Sequence, residues 1–238
     1  MKGVVLAGGL GTRLHPLTKV TNKHLLPVYD RPMILYPIET LKRSGITEIM
    51  VVCGREYAGH FMSYLGSGAE HGVTLSYALQ DRNNGGIADA LSYTEAFAHN
   101  DSVAVILGDN LFEDEFSIPV QAFKSGAQAF FKKVPDPHRF GVPEFDDAGK
   151  IVRIVEKPKE PKSEYAQVGF YLFDPHIFEY IRTLEPSARG ELEITDAINR
   201  YLNEGQLTHH VLEREWFDMG TFDSLLHAAR WVASRHEC

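Results

Sequence analysis

The chain has 238 residues, a net charge of −8, 44% apolar and 24% charged residues, an ordinary balance for a folded water-soluble protein; it lacks the positive face that coating nucleic acid requires. Two cysteines, Cys53 in an apolar run and Cys238 at the end, supply neither a disulfide framework nor a CxxC metal spacing and suit a reducing cytoplasm. The apolar start is too short for a signal peptide, and no later run reaches about 18 apolar residues, so a soluble, unprocessed chain without a membrane partner is expected.

Gly3 to Ala7 reads as the first buried strand. The loop after it, Gly8-Gly9-Leu10-Gly11-Thr12-Arg13, can close its backbone on an anion and expose amides to it. As a dinucleotide fingerprint it fails, because Leu14 stands where a third glycine belongs, and no GxxxxGK[ST] loop occurs. Arg13 and Lys23 beside exposed amides suit a triphosphate instead, although a plain glycine turn with solvated cations is the bland alternative. Helices follow at Met33 to Arg43, with Gly45 beyond its end, at Tyr57 to Leu65, and at Ile87 to Phe97 behind Gly85-Gly86. Strands at Glu48 to Cys53, Thr74 to Leu79 and Val103 to Leu107 alternate with them. That alternation predicts an α/β fold: a Rossmann-like mixed, mainly parallel sheet flanked by helices.

Asp109 follows the last of these strands through Gly108, at the strand end where such sheets place ligands. A carboxylate there suits Mg²⁺, which uses one or two carboxylates together with substrate phosphates; Asp218 is the candidate second ligand, and a turn role is the alternative for each. Beyond residue 117 the pattern reads as mixed β structure inserted into the sheet, through Phe130-Phe131 and Ile151 to Pro158. Glu156 could accept bonds from sugar hydroxyls, while Lys157 and Arg189 could hold a sugar phosphate as a point charge and a fork, or simply be solvated charges. Helices from Asp174-Pro175 to Ile181, Glu193 to Leu202 and Thr221 to Ser234 close the chain, the last capped by Thr221 with Asp223. No HExxH, paired Cys/His spacing or GxSxG elbow occurs, and His209-His210 would face opposite sides of a strand. With no repeat or linker visible, one domain over 1–238 is expected.

Taken together, Leu6 to Leu14, Lys23 to Val28, Leu107 to Asn110, Asp136 to Val142, Glu156 to Pro158, Tyr165 to Asp174, Pro186 to Asp196 and Phe217 to Thr221 resemble the glucose-1-phosphate thymidylyltransferases, a sugar nucleotidyltransferase family. The resemblance implies a GT-A-like nucleotidyltransferase fold whose first half, 1–116, mainly binds dTTP and whose second, 117–238, mainly supplies the glucose 1-phosphate site and part of a homo-oligomer surface. It implies Leu6, Gly8, Gly9, Gly11, Thr12, Arg13 and Lys23 around the triphosphate, and Gln80 at the thymine edge with Gly85 or Gly86 near the base. Asn110, Gly141, Glu156, Lys157, Val168, Tyr171 and Arg189 would line the sugar-phosphate pocket, with Mg²⁺ on Asp109 and Asp218. Arg13, Lys23 and Lys157 would then serve an in-line attack by the sugar phosphate on the α-phosphorus of dTTP, with no covalent enzyme intermediate. A uridylyltransferase, an enzyme for another hexose 1-phosphate and a non-catalytic regulatory homologue are the competing expectations. The base-reading segment Gln80 to Ala88 is one residue longer than the usual form and lacks its prolines. Long members also carry a C-terminal regulatory extension, so this chain resembles the short form.

Overall fold

The computed structural model describes residues 1–82 and 84–236; Cys238 and Asn83 lie outside them. In chain order the strands and helices are β1 (Lys2–Ala7), β2 (Pro27–Val28), β3 (Arg31–Pro32), α1 (Leu35–Arg43), β4 (Glu48–Gly54), α2 (Ala58–Leu65), β5 (Thr74–Gln80), α3 (Ile87–Ser92), α4 (Glu95–Ala98), β6 (Val103–Leu107) and β7 (Asn110–Phe112). Then come α5 (Ser117–Ala122), β8 (Ala127–Lys133), β9 (Gly141–Phe145), β10 (Ile151–Glu156), β11 (Tyr165–Phe173), α6 (His176–Arg182), α7 (Ile194–Asn203), β12 (Leu207–Val211), β13 (Trp216–Asp218) and α8 (Phe222–His236).

A seven-stranded sheet runs in the order β12-β8-β11-β6-β1-β4-β5. The first-half strands β5, β4, β1 and β6 are mutually parallel, β11 is antiparallel to both β6 and β8, and β12 is parallel to β8. The mixed, mainly parallel sheet is therefore as expected. Both faces are covered, which explains why β1 carries no polar side chain from Gly3 to Ala7. Val5 and Ala7 pack on one side with Ile38, Leu41, Phe61, Ile106 and Phe170. Val4 and Leu6 pack on the other with Leu91, Val105, Phe173, Ile177 and Ile198. On the first side Phe116 stacks on Phe170 at 3.9 Å and meets Phe130 edge-on at 5.1 Å.

Three features differ from the sequence reading. The predicted helix Ile87 to Phe97 breaks between α3 and α4, where both the backbone N–H and the hydroxyl of Thr94 donate to the Leu91 carbonyl, at 3.0 and 2.7 Å; such local bonds compete with helix continuation. The strands β9 and β10 form their own two-stranded ribbon rather than entering the sheet. The second-half strands that do enter it are β8, which carries the expected Phe130-Phe131, β11 and β12, and of these β11 was not assigned as a strand from the sequence. The capping expectation for α8 holds, with the Thr221 hydroxyl accepting from the Ser224 backbone N–H at 3.3 Å. Behind α8, Ala228 and Val232 bury against Val28, Met33, Leu111 and Met219, with Trp231 half-buried beside them.

After β1 the chain moves outward to β4 and β5, then returns to the other side of β1 as β6. This reversal opens a crevice beyond the carboxyl ends of β1 and β6, the usual ligand position in open α/β sheets.

Candidate functional site

Two adjoining cavities occupy that crevice. One, of about 240 Å³, is lined by Leu6, Gly8, Gly9, Lys23, His24, Gln80 and residues 84–87. The other, of about 330 Å³, is lined by Arg13, Asn110, Arg139, Gly141, Glu156, Gln167, Gly169, Tyr171, Thr195, Trp216 and Asp218 among others. Ile87, Leu107, Asp109 and Lys157 belong to both.

The glycine loop leaves room for functional side chains. A Cβ on Gly8 would stand 2.2 Å from Gln80 Oε1 and would force that carboxamide to move, and one on Gly11, whose φ of +66° is itself unfavourable for a side chain, would stand 2.8 Å from Lys23 Cβ. Gly11 and Thr12 thus shape the loop rather than line a cavity. Arg13 reaches across to β13: a Cβ at Gly220 would lie 3.0 Å from Arg13 Nη2 and 3.1 Å from Asp218 Oδ1.

Lys23 donates to the Asp109 carboxylate in a pair that is largely buried. Burial pushes the Asp109 carboxyl up, but the Lys23 ammonium, with a smaller contribution from His24 and hydrogen bonds, holds it well below the usual carboxylate range. The buried His24 ring is pushed down to about 3, first by burial and then by the Lys23 charge. It stays neutral, anchored to Asn22 Oδ1 at 2.7 Å. Asp218 behaves oppositely: burial and the Asp109 charge raise its carboxyl above the ordinary value, against Lys23, Arg13 and Arg139. Arg139 Nη2 lies 3.2 Å from Asp218 Oδ2 while its Nη1 is held by Asp136 at 2.8 Å.

Asn110 is oriented by three contacts. Its Oδ1 accepts from Trp216 Nε1 at 2.7 Å and from the Gly169 N–H at 3.2 Å, and its Nδ2 donates to Asp109 Oδ1 at 3.1 Å. Glu156 Oε2 accepts from the Thr195 hydroxyl at 2.6 Å. Lys157 adopts φ +45°, an unfavourable conformation for a residue with a Cβ that recurs where the surroundings fix a functional group. In the other cavity Gln80 Nε2 donates to Asp89 Oδ2 at 2.8 Å, and residues 85–88 are tied to Leu192 by two backbone bonds.

Two expected contributions are corrected. The Val168 side chain packs in the core on the opposite face of β11, and its neighbours Gln167, Gly169 and Tyr171 line the cavity instead; alternation along a strand allows only one parity to face the site. Arg189 is absent from both linings, and its fork is occupied by Glu193, whose oxygens lie at 2.8 Å from Nη2. Arg139, Gln167, Thr195 and Trp216 were not singled out from the sequence. The period-2 relation of Gln167 to Tyr171 was the available signal; Arg139 and Trp216 come from distant segments that only the fold brings together.

Two carboxylates, the Asp218 carboxyl raised by burial and by the Asp109 charge, beside Lys23, Arg13 and Arg139 have the chemistry to receive a phosphorylated ligand together with a hard divalent cation. Among the described residues no group of three or more His, Cys, Asp or Glu could hold a metal, so a cation here would rely on substrate phosphates for further oxygen ligands. The fold and site thus define a nucleotide-handling α/β protein. The nucleotidyl transferase family profile matches residues 2–235, and the chain belongs to that family. It is 44% identical to a glucose-1-phosphate thymidylyltransferase of Neisseria meningitidis over 98% of this chain and 82% of that protein. With the enzyme of the same name from Mycolicibacterium smegmatis it shares 46% over the same proportions. A solved Bacillus anthracis structure, provisionally named glucose-1-phosphate thymidylyltransferase and in complex with sucrose, is 51% identical with a TM-score of 0.91, covering 97% of this chain and 94% of that one. Among the described residues no helix is long and apolar enough to cross a membrane.

Proposed function

We propose that this chain transfers the thymidylyl group of dTTP to α-D-glucose 1-phosphate, giving dTDP-glucose and pyrophosphate. The observation that carries this reading is the pair of cavities meeting at Asp109 and Lys157, one behind a glycine loop and the other lined by Glu156, Asn110 and Tyr171. Relatives more than 40% identical over almost the whole chain bear the same activity in their names.

The attacking group, a phosphate oxygen of the sugar phosphate, is already anionic and needs no strong base. The protein must offset the repulsion of two anions and hold them in line. Lys23 lines the cavity behind the glycine loop, Arg13 lines the other, and Lys157 belongs to both. Mg²⁺, when bound by Asp109 and Asp218, would neutralise charge on the reacting phosphates. In this reading residues 1–116 serve mainly the nucleotide and 117–238 mainly the sugar phosphate. A cytoplasmic, homo-oligomeric enzyme is the associated expectation, the assembly being checked by sedimentation velocity.

Asp89 supports the choice of base. An ionised carboxylate only accepts hydrogen bonds, so its contact with Gln80 Nε2 turns Gln80 Oε1 toward Gly8 on the cavity wall. A carbonyl acceptor there matches the N3–H of thymine or uracil and opposes the bare N3 of cytosine. Gln80→Leu is expected to raise the KM for dTTP about tenfold, the effect of roughly 1.4 kcal/mol from one hydrogen bond, with the KM for glucose 1-phosphate nearly unchanged. Steady-state kinetics with each substrate varied checks this.

The same acceptor serves uracil, and the thymine methyl is worth only about 1 kcal/mol of apolar contact, which keeps a uridylyltransferase as the second reading. Pyrophosphate release across dTTP, UTP, ATP, CTP and GTP against glucose, galactose, mannose and fucose 1-phosphates decides between them. Dominance of dTTP with glucose 1-phosphate is expected. A several-fold preference for UTP would replace this reading with the second, and silence from folded protein would reject both.

A further inference from the structure

The cavity wall formed by β11 holds a polar atom that nothing satisfies. Gln167 is 5% exposed, and its Nε2 is, among the described residues, the buried side-chain nitrogen or oxygen without a hydrogen-bond partner. The side chain lines the same cavity as Glu156, Asn110 and Tyr171. Buried amides are almost always paired in native proteins, and an orphan calls for an explanation.

Its surroundings narrow that explanation. On the carbonyl side, a Cβ at Gly141 would stand 2.6 Å from Gln167 Oε1, so the glycine makes room for this carboxamide. The Thr195 hydroxyl lies 3.5 Å from Oε1 and only 2.6 Å from Glu156 Oε2, and its single proton goes to the carboxylate. Gln167 therefore stands beside an acceptor-only group while keeping a donor free. The combination matches a group that accepts one hydrogen bond and donates another, as a sugar hydroxyl does. The cations Arg13, Arg139 and Lys157 line the same cavity and supply the charge a phosphate would need, so the neutral amide is left for the hexose ring.

The geometry points to Gln167 as a specificity-determining residue of the sugar subsite: Nε2 donates to one ring hydroxyl, whose proton is accepted by Glu156. This rests on reading the larger cavity as the hexose 1-phosphate subsite. A hexose lacking that hydroxyl would leave the amide and the carboxylate unsatisfied, the situation in which a hydrogen-bonding site rejects an analogue most strongly.

The test compares the full-length protein with Gln167→Leu in three readouts: the melting temperature without ligand, kinetics with dTTP and glucose 1-phosphate, and kinetics with the 2-, 3-, 4- and 6-deoxy analogues. Removing the orphan amide should leave the melting temperature unchanged or raised. It should lower kcat/KM for glucose 1-phosphate about tenfold or more, as loss of one well-made hydrogen bond does, and leave the KM for dTTP within about twofold. The wild-type protein should discriminate against one deoxy analogue, and the variant should lose that discrimination while keeping the others. Unchanged kinetics with glucose 1-phosphate in a folded variant would overturn the assignment, as would a lowered melting temperature with all four discriminations intact, the pattern of a purely structural residue. If wild-type protein turns over no hexose 1-phosphate with any nucleotide, the functional reading itself fails and takes the assignment with it.

Discussion

Lys23→Met is expected to reduce kcat/KM for dTTP by about 10²–10³-fold, the loss seen when one preorganised charge-stabilising group is removed from an active site, and to destabilise the metal-free protein most at neutral pH. The Lys23–Asp109 pair is largely buried on both sides. Removing one partner of such a pair costs about 3–5 kcal/mol because the other charge stays desolvated. The pH dependence has a definite sign. Asp109 is held below its unfolded value of about 3.9, so its contribution to stability is present above that pH and is lost as pH falls toward the folded value. Without Lys23 the chief charge holding Asp109 down is gone, and burial pushes its carboxyl up against the smaller effects of His24 and hydrogen bonds. The difference between wild type and variant should therefore be greatest near pH 7 and shrink as the pH is lowered through 4. His24 remains neutral in both, since it is pushed down to about 3 chiefly by burial; its own cost on acidification is largely common to the two proteins. Urea unfolding in EDTA at several pH values measures the difference, and a difference independent of pH would show that the pair does not control the Asp109 charge.

What the sequence disclosed about this site follows from how its parts are encoded. The strand Gly3 to Ala7, its glycine loop and Asp109 behind Val103 to Leu107 are local patterns, and the parallel sheet brings both strand ends to one crevice without further information. The strand β11 is less legible because its apolar run, Tyr165–Phe173, is buried on both sides and has no clean alternation. Val168, which the resemblance implied for the pocket, and Gln167, which lines it, are neighbours on this strand, and one residue's displacement along a strand exchanges its two faces. Arg189 was plausible as a phosphate fork only while Glu193, four residues on, was not known to hold it. Arg139 and Trp216 gained their places from contacts across the chain, to Asp218 and Asn110 respectively, and no periodicity records such pairings.

Asp218→Asn is expected to separate stability from activity. The Asp218 carboxyl is raised by burial and by the neighbouring Asp109 charge. A group raised on folding stabilises the folded state below its unfolded value, about 3.9, and that contribution is lost as the pH rises through the folded value. At pH 7 the charged carboxylate is thus a net burden on the metal-free protein, even with Arg139 3.2 Å away. A neutral amide of the same shape removes the repulsion with Asp109. The variant should consequently melt at the same temperature as wild type or higher in EDTA at pH 7, with the advantage fading toward pH 4. Its kcat/KM should nevertheless fall about 10²–10³-fold, because the repulsion that burdens the empty site is what a divalent cation and two phosphorylated substrates would relieve. Adding Mg²⁺ with dTTP should therefore raise the melting temperature of wild type more than that of the variant, since a ligand stabilises in proportion to its affinity for the folded state. Equal shifts in the two proteins would remove Asp218 from the cation site. A variant less stable than wild type in EDTA at pH 7 would show instead that the Arg139 and Arg13 contacts outweigh the carboxylate repulsion.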